Sequence, residues 1–386
     1  MYNLKVVIIG AGIGGLTAGI ALQQAGYQVE IYDRVAQLRP AGAGISMWSN
    51  GVKVLNRLGL GDKIAKVGGQ MNQMQYRTLN NELLNEIDLY PLIETVGQRP
   101  YPVARTDLQQ LLVEAFAGEI KLNAKCIGLE QDGQSATAIF EDGHRATGDL
   151  IIAADGVRSV LRNQILGQDI QPRYAGYVNW NGLVPMSKDL IPSTSWALFV
   201  GEHKRASMMP VGDNRFYFFF DVPLPKGTPV HPNGIRAELA GYFQGWCQPV
   251  QNLIQALDPD RTNRIEIHDV GPLDRFVQGR VALLGDAAHT TTPDLGQGGC
   301  QALEDAEVLT RYLMTTNLGV EDALKRYEAE RQERTAPIVL KARSRANQIH
   351  GIDPAVTEQW YEQLRTEKPA DVRAAIAKTI LGGALR

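Results

Sequence analysis

Three short motifs, far apart in the chain, carry residue types that can build one dinucleotide site: Gly10-Ala11-Gly12-Ile13-Gly14-Gly15, Ala154-Asp155-Gly156-Val157-Arg158-Ser159 and Gly285-Asp286-Ala287-Ala288-His289. The first follows the apolar run Leu4 to Ile9 and precedes helical spacing from Leu16 to Gly26, so it reads as strand, tight turn, helix. Gly10 permits the turn, Gly12 lets the backbone approach a pyrophosphate and Gly15 lets the helix pack close to the strand, while the helix N-terminus offers N–H groups to phosphates. A second strand, Gln28 to Tyr32, ends on Asp33, about 20 residues past the glycines, where an acid accepts hydrogen bonds from an adenosine ribose. Two more apolar runs, Leu150 to Ala154 and Val281 to Leu284, deliver Asp155 and Asp286 to strand ends, the edge at which α/β sheets bind ligands. A carboxylate at Asp286 suits the ribityl hydroxyls of a flavin, a neutral polyol that needs acceptors. Downstream, Pro293, Gly296, Gln297, Gly298 and Gly299 form a turn with few side chains, whose backbone N–H groups can face the edge of an isoalloxazine ring.

These motifs require a doubly wound sheet, and the rest of the chain requires a second layer type. The segment to about Gly69 reads as strand, helix, strand, loop and short helix, whereas Met71 to Pro100 has alternating and irregular character. Helical spacing at Thr106 to Phe116, with Thr106 as N-cap, precedes strands near Ile120 to Leu129 and Ala136 to Glu141, with a hairpin turn at Asp142-Gly143. From Tyr174 to about Glu266 the runs Tyr177 to Val184, Ser195 to Val200, Ala206 to Pro210 and Arg215 to Val222 are strand-like and rich in aromatics. They predict a mostly antiparallel sheet able to cover a planar ligand, although most of these aromatics serve as core. Several helices follow from Cys300 past Ala346, then helical patterns at Val356 to Glu367 and Ala370 to Ile380. The expected architecture is α/β: a Rossmann-like FAD-binding domain (1–70, 101–172 and 270–345) interwoven with a mostly antiparallel β-sheet substrate domain (71–100 and 173–269) and a C-terminal helical segment (346–386).

At 386 residues the chain can bury a sizeable core. A formal net charge of −3 gives no electrostatic reason to expect nucleic acid or an anionic membrane as partner. Cys126, Cys247 and Cys300 are an odd number without metal-ligand spacing, which suits buried thiols in a reducing, cytoplasmic setting and no metal site. The apolar start from Val6 lacks a basic leader, and no run has the length of a membrane span. The oligomeric state is open.

The order and spacing of the three motifs resemble the single-component, FAD-dependent aromatic hydroxylases, the family of para-hydroxybenzoate hydroxylase, over essentially the whole chain. The resemblance implies bound FAD, with Asp155 serving FAD and the nicotinamide donor and Asp286 holding the ribityl chain. It assigns Arg105, in Pro102-Val103-Ala104-Arg105-Thr106-Asp107-Leu108, as a helix-opening arginine that contacts the cofactor. Arg34 and Ile127 become adenine-side neighbours. Asp33 departs from the glutamate of many relatives but should still reach the ribose.

Within this family, the strings from Arg173 to Gly182, Val200 to Arg205, Phe216 to Pro223 and Thr291 to Cys300 resemble the FAD-dependent urate hydroxylases. That resemblance implies conversion of urate to 5-hydroxyisourate with NADH and dioxygen through a flavin hydroperoxide, in purine catabolism. Urate is a planar anion at neutral pH, so a guanidinium fork in an aromatic pocket would bind and orient it. On this resemblance Arg205 is the candidate catalytic cation, Asn179 a donor and acceptor for the ring edge, and Tyr217 a hydroxyl contributed to catalysis and binding. No histidine is assigned as base: His289 lies beside a flavin motif, while His203 and His268 could be structural. The donor binds without a fold of its own, so NADPH stays open beside NADH. Three alternatives also stay open: the same chemistry on a salicylate-like or hydroxybenzoate-like acid, a flavin reductase or dehydrogenase without oxygen insertion, and an interaction protein with structural FAD.

Overall fold

The computed structural model describes residues 4–38, 43–315 and 317–384. Within Lys5–Ile9 the residues Val-Val-Ile-Ile form a continuous β-branched run, the pattern of a strand buried on both faces of a parallel sheet. Val6, Val7 and Ile8 have no exposed surface. This strand pairs in parallel with Gln28–Tyr32 on one side and Leu150–Ala153 on the other. Ile120–Lys121, Val281–Leu283 and the antiparallel edge Val277–Gln278 complete a six-stranded sheet. Strand and helix meet closely at the first turn. Gly10 has φ +112°, and a Cβ on Gly15 would lie 1.9 Å from the Gly10 carbonyl oxygen.

The second sheet has seven strands, drawn from Gln73–Thr78, Leu83–Asp88 and the five strands between Arg173 and Asp269. Neighbours run antiparallel except Ser195–Gly201 beside Gln73–Thr78. The expected α/β fold with a mostly antiparallel second sheet is therefore present. Strand alternation gives this sheet two different faces. Phe216, Phe218 and Phe220, each fully buried, pack with Trp180 and Phe199 against Leu239, Leu253 and Ile254 of the helices Gly234–Tyr242 and Gln248–Ala256 and against Phe243, which caps the first of them. Burial of one such ring stabilises the fold by on the order of 2–3 kcal/mol. Tyr217, Phe219 and Asp221 thereby face the other way.

Two helices, Gly298–Leu313 and Val320–Ile349, occupy the stretch read as several, and Pro337 lies within the second. Helices Pro354–Thr366 and Pro369–Leu381 follow. One detail of the reading is corrected. The helix Arg105–Ala115 is capped at Ala104, and the Thr106 hydroxyl donates instead to Asp107 Oδ1 (2.8 Å), because Arg105 already has helical geometry. No described helix is long and apolar enough to cross a membrane.

Candidate functional site

A cavity of about 410 Å³ lies where the two sheets face each other, and all three motifs reach it. Gly12, Gly14, Gly15, Ala154 and Gly156 line one part, Arg105, Gly285 and Asp286 another, and Pro293, Asp294, Gly296, Gly298 and Gly299 border the transition to the second sheet. That sheet contributes Asn179, Asn181, Trp196, Leu198, Arg205, Tyr217 and Phe219. A wider cleft of about 780 Å³ between the C-terminal helices carries none of the motif glycines or the aromatic strands.

The cofactor end has groups that await partners. The helix Ile13–Gln24 begins at Gly12 with no side-chain cap and no acidic residue in its first turn, and a Cβ on Gly12 would meet nothing within 4 Å. Its N–H groups are free for an anion. Asp286 is open to the cavity yet walled in by protein. That enclosure raises its carboxyl above the usual range, eased by His289, Arg105 and Arg162. Asp155 Oδ2 accepts from Val160 N–H (3.0 Å) at the start of the helix capped by Ser159, while Oδ1 is buried without a donor. Asp155 lies just behind the cavity lining of Ala154 and Gly156, whereas Thr292, whose Oγ1 is buried and unpartnered, borders the cavity itself. Buried polar atoms without partners call for a ligand. An uncapped helix start, an open carboxylate and an unpartnered hydroxyl on the cavity fit FAD.

Other members of the predicted set lie outside the cavity lining. Asp33 Oδ2 accepts from Ala11 N–H (2.7 Å), so this carboxylate also braces the glycine turn. Arg34 is exposed, and Ile127 is 47% exposed on the strand Cys126–Gln131. Gly10 supports the turn from behind. The Gln297 side chain turns away from the cavity, accepting from Asn50 Nδ2 and Gln301 Nε2 (both 3.0 Å). Behind the late motif, Asp305 accepts from Gly285 N–H, His289 Nε2 and Arg331 Nε, and Arg331 also pairs with Glu304 (3.0 Å). Sequence reading missed this network and missed Arg162. That buried guanidinium donates to Val157 O (2.9 Å) and Ala287 O (3.4 Å), tying the middle motif to the late one.

At the other end, cross-strand register sets the geometry. Asn179 pairs with Asp221, and Asp221 with Arg205, so three polar residues align across three strands on one face. Arg205 Nε and Nη2 donate to Asp221 Oδ2 (2.8 and 2.6 Å), and Nη2 also donates to Asp294 Oδ1 (3.0 Å). Nη1 has no protein acceptor among the described residues. Asn179 Nδ2 donates to Asp221 Oδ1 (2.5 Å) and its Oδ1 accepts from Asn181 (2.6 Å), which orients the amide and leaves one N–H free. Tyr217 lies half-open to the cavity beside Phe219; burial, reinforced by Asp221, raises its hydroxyl well above the ordinary value. Arg205 is thus held by two carboxylates that the sequence reading did not assign. His350, at the end of the helix Val320–Ile349, stacks on Tyr177 with ring centroids 3.9 Å apart, and the Tyr177 hydroxyl donates to Asp294 Oδ2 (2.8 Å).

Comparisons with known proteins extend over nearly the whole chain. Residues 3–342 match the family model described as FAD binding domain. A FAD-dependent urate hydroxylase of Klebsiella pneumoniae is 49% identical over 384 residues, 99% of this chain and the whole of that protein. Its counterpart from Mycolicibacterium vanbaalenii is 47% identical over 386 residues, 99% of this chain and 98% of that one. The crystal structure of Klebsiella pneumoniae HpxO complexed with FAD and uric acid superimposes with a TM-score of 0.96 at 48% identity, covering 99% of this chain and 98% of that chain.

Proposed function

Since this chain belongs to the FAD binding domain family of flavin-dependent hydroxylases, we propose that it hydroxylates urate to 5-hydroxyisourate, using NADH and dioxygen, in a reducing cytoplasmic compartment. The observation that carries this reading is the placement of Asn179, Arg205 and Tyr217 in one cavity with the glycine turn and Asp286. FAD, when bound, supplies electron transfer from the nicotinamide donor and activation of dioxygen.

The chain's own residues do the rest. The turn Gly10 to Gly15 and the helix behind it would hold the pyrophosphate, Asp33 the ribose, and Arg34 and Ile127 the adenine side. Asp286 would accept from the ribityl hydroxyls, and Arg105, Asp155 and the stretch Pro293 to Gly299 would hold the flavin. Arg205 Nη1 meets the urate anion, and the Asp221–Asp294 clamp fixes the guanidinium plane so that this contact also orients the heterocycle. Asn179 reads the ring edge through its free N–H, and Tyr217 adds a hydroxyl. Trp196, Leu198 and Phe219 exclude water from the reacting face.

A substrate panel tests the proposal. Purified flavoprotein should oxidise NADH at least tenfold faster with urate than with salicylate or 4-hydroxybenzoate at equal concentration. Equal or greater stimulation by an aromatic acid would overturn urate as the substrate.

A further inference from the structure

The polar cluster at the substrate end holds an unbalanced charge. Asp221 and Asp294 have no exposed side-chain surface, and between them they share one guanidinium, that of Arg205. Two carboxylates and one cation leave a formal charge of −1 where a urate anion has to enter. A group able to restore balance is His350, since Arg345, a cation that also lines the cavity, instead lays its guanidinium over the Trp360 ring (4.7 Å) and donates to Gln348. The His350 side chain is 2% exposed, Nε2 lies 3.8 Å from Asp294 Oδ1, and neither ring nitrogen has a hydrogen-bond partner among the described residues. At that distance the contact is electrostatic, too long for a hydrogen bond. His350 is also the C-cap of the helix Val320–Ile349, whose terminal carbonyls favour a cation. Next to it, Ile349 lines the cavity.

The other ionisable groups facing this imidazole are unsuited to the task. Tyr177 is held well above its ordinary value by burial and by Asp294. The Asp294 carboxyl, which burial alone would raise, is held well below the usual range by the groups around it, the Arg205 guanidinium and the Tyr177 hydroxyl among them. His203 packs against Gly351, one residue beyond, and among the described residues makes neither a hydrogen bond nor an ion pair with Asp294. Imidazole is the side chain that changes charge near neutral pH.

We propose that His350 is a positioning residue that takes up one proton from water when the urate anion binds, neutralising the second carboxylate of the Asp221–Arg205–Asp294 cluster. One N–H bond forms on the ring and no electrons move. The inference rests on the urate reading above. Proton uptake lets the anion enter a neutral cluster and keeps Arg205 Nη1 available to it.

Calorimetry of urate binding to the FAD-loaded protein, in buffers of different ionisation enthalpy, measures the protons taken up. Flavin-absorbance titrations give Kd across about pH 6–9. Wild type should take up close to one proton, with urate affinity falling up to tenfold per pH unit on the alkaline side. His350→Phe, which keeps a ring on Tyr177, and His350→Gln should retain FAD, bind without uptake and show a flat affinity profile; His203→Gln should behave as wild type. Uptake and pH profile unchanged in both His350 variants, or lost only in His203→Gln, would overturn the inference while leaving urate as substrate. Wild-type flavoprotein that does not bind urate at all would overturn the substrate reading itself, and the inference with it.

Discussion

Replacing Asp305 by Asn keeps the shape of the side chain and removes its charge from the network behind the Gly285-Asp286 turn. Its oxygens accept from Gly285 N–H (2.8 Å), His289 Nε2 (2.7 Å) and Arg331 Nε (2.6 Å), and an amide converts one of those acceptor positions into a donor. Arg331 is 1% exposed, so the lost partner is not replaced by water. Breaking a buried pair costs about 3–5 kcal/mol, and the lower end applies because Glu304 still holds Arg331. With about 2.1 cal/mol/K of unfolding entropy per residue, a loss of about 3 kcal/mol lowers the midpoint by about 4 °C. Acid should narrow that gap. Burial pushes the Asp305 carboxyl up, but His289, Arg331 and the Gly285 N–H outweigh it and hold the group at about 2. A carboxyl held below its unfolded value contributes stability that is fully present above about pH 4 and lost as the pH falls towards about 2. That hold is worth on the order of 2–3 kcal/mol, which wild type loses in that window and the variant never had. The assay is thermal release of FAD, followed by its fluorescence, at neutral pH and at about pH 3–4. A variant releasing FAD within 1 °C of wild type at neutral pH would refute the reasoning.

Three further outcomes follow from the geometry. Gly15→Ala places a Cβ 1.9 Å from the Gly10 carbonyl oxygen, so the turn must open; FAD affinity measured by calorimetry should fall at least tenfold, about 1.4 kcal/mol. Tyr177→Phe removes the donor to Asp294, about 1 kcal/mol, and should raise the urate KM about fivefold while FAD content is unchanged. Arg205→Lys loses the fork that reaches Asp221 and Asp294 together, and should lower urate-coupled kcat/KM by about 100-fold with FAD retained.

The parallel sheet and the glycine turn were legible because their signals are local: β-branched runs, turn glycines and a following helix fall within a few residues of one another. The face of the second sheet was harder to read. Phe216-Tyr217-Phe218-Phe219-Phe220-Asp221 is apolar at nearly every position, which hides the period of two, although the polar atoms of Tyr217 and Asp221 already sit on alternate positions. Asp221, a single carboxylate in an aromatic strand, was a visible sign that a buried cation would be opposite. Its pairing with Arg205 depends on register, which no local pattern sets. Asp294 and His350 come together from a turn and a helix end distant in sequence, and Arg345, Ile349 and Trp360 reach the cavity through helix packing alone. Thr106 failed as an N-cap because a hydroxyl two residues inside the boundary looks the same in sequence as one at it.

The most direct test is NADH consumption by the purified yellow protein in air, with and without urate, following urate's ultraviolet absorbance and hydrogen peroxide in the same sample. Urate hydroxylation predicts faster NADH loss with urate, near-equal disappearance of urate and little peroxide. NADH loss that ignores urate, or that yields only peroxide while urate persists, would contradict it.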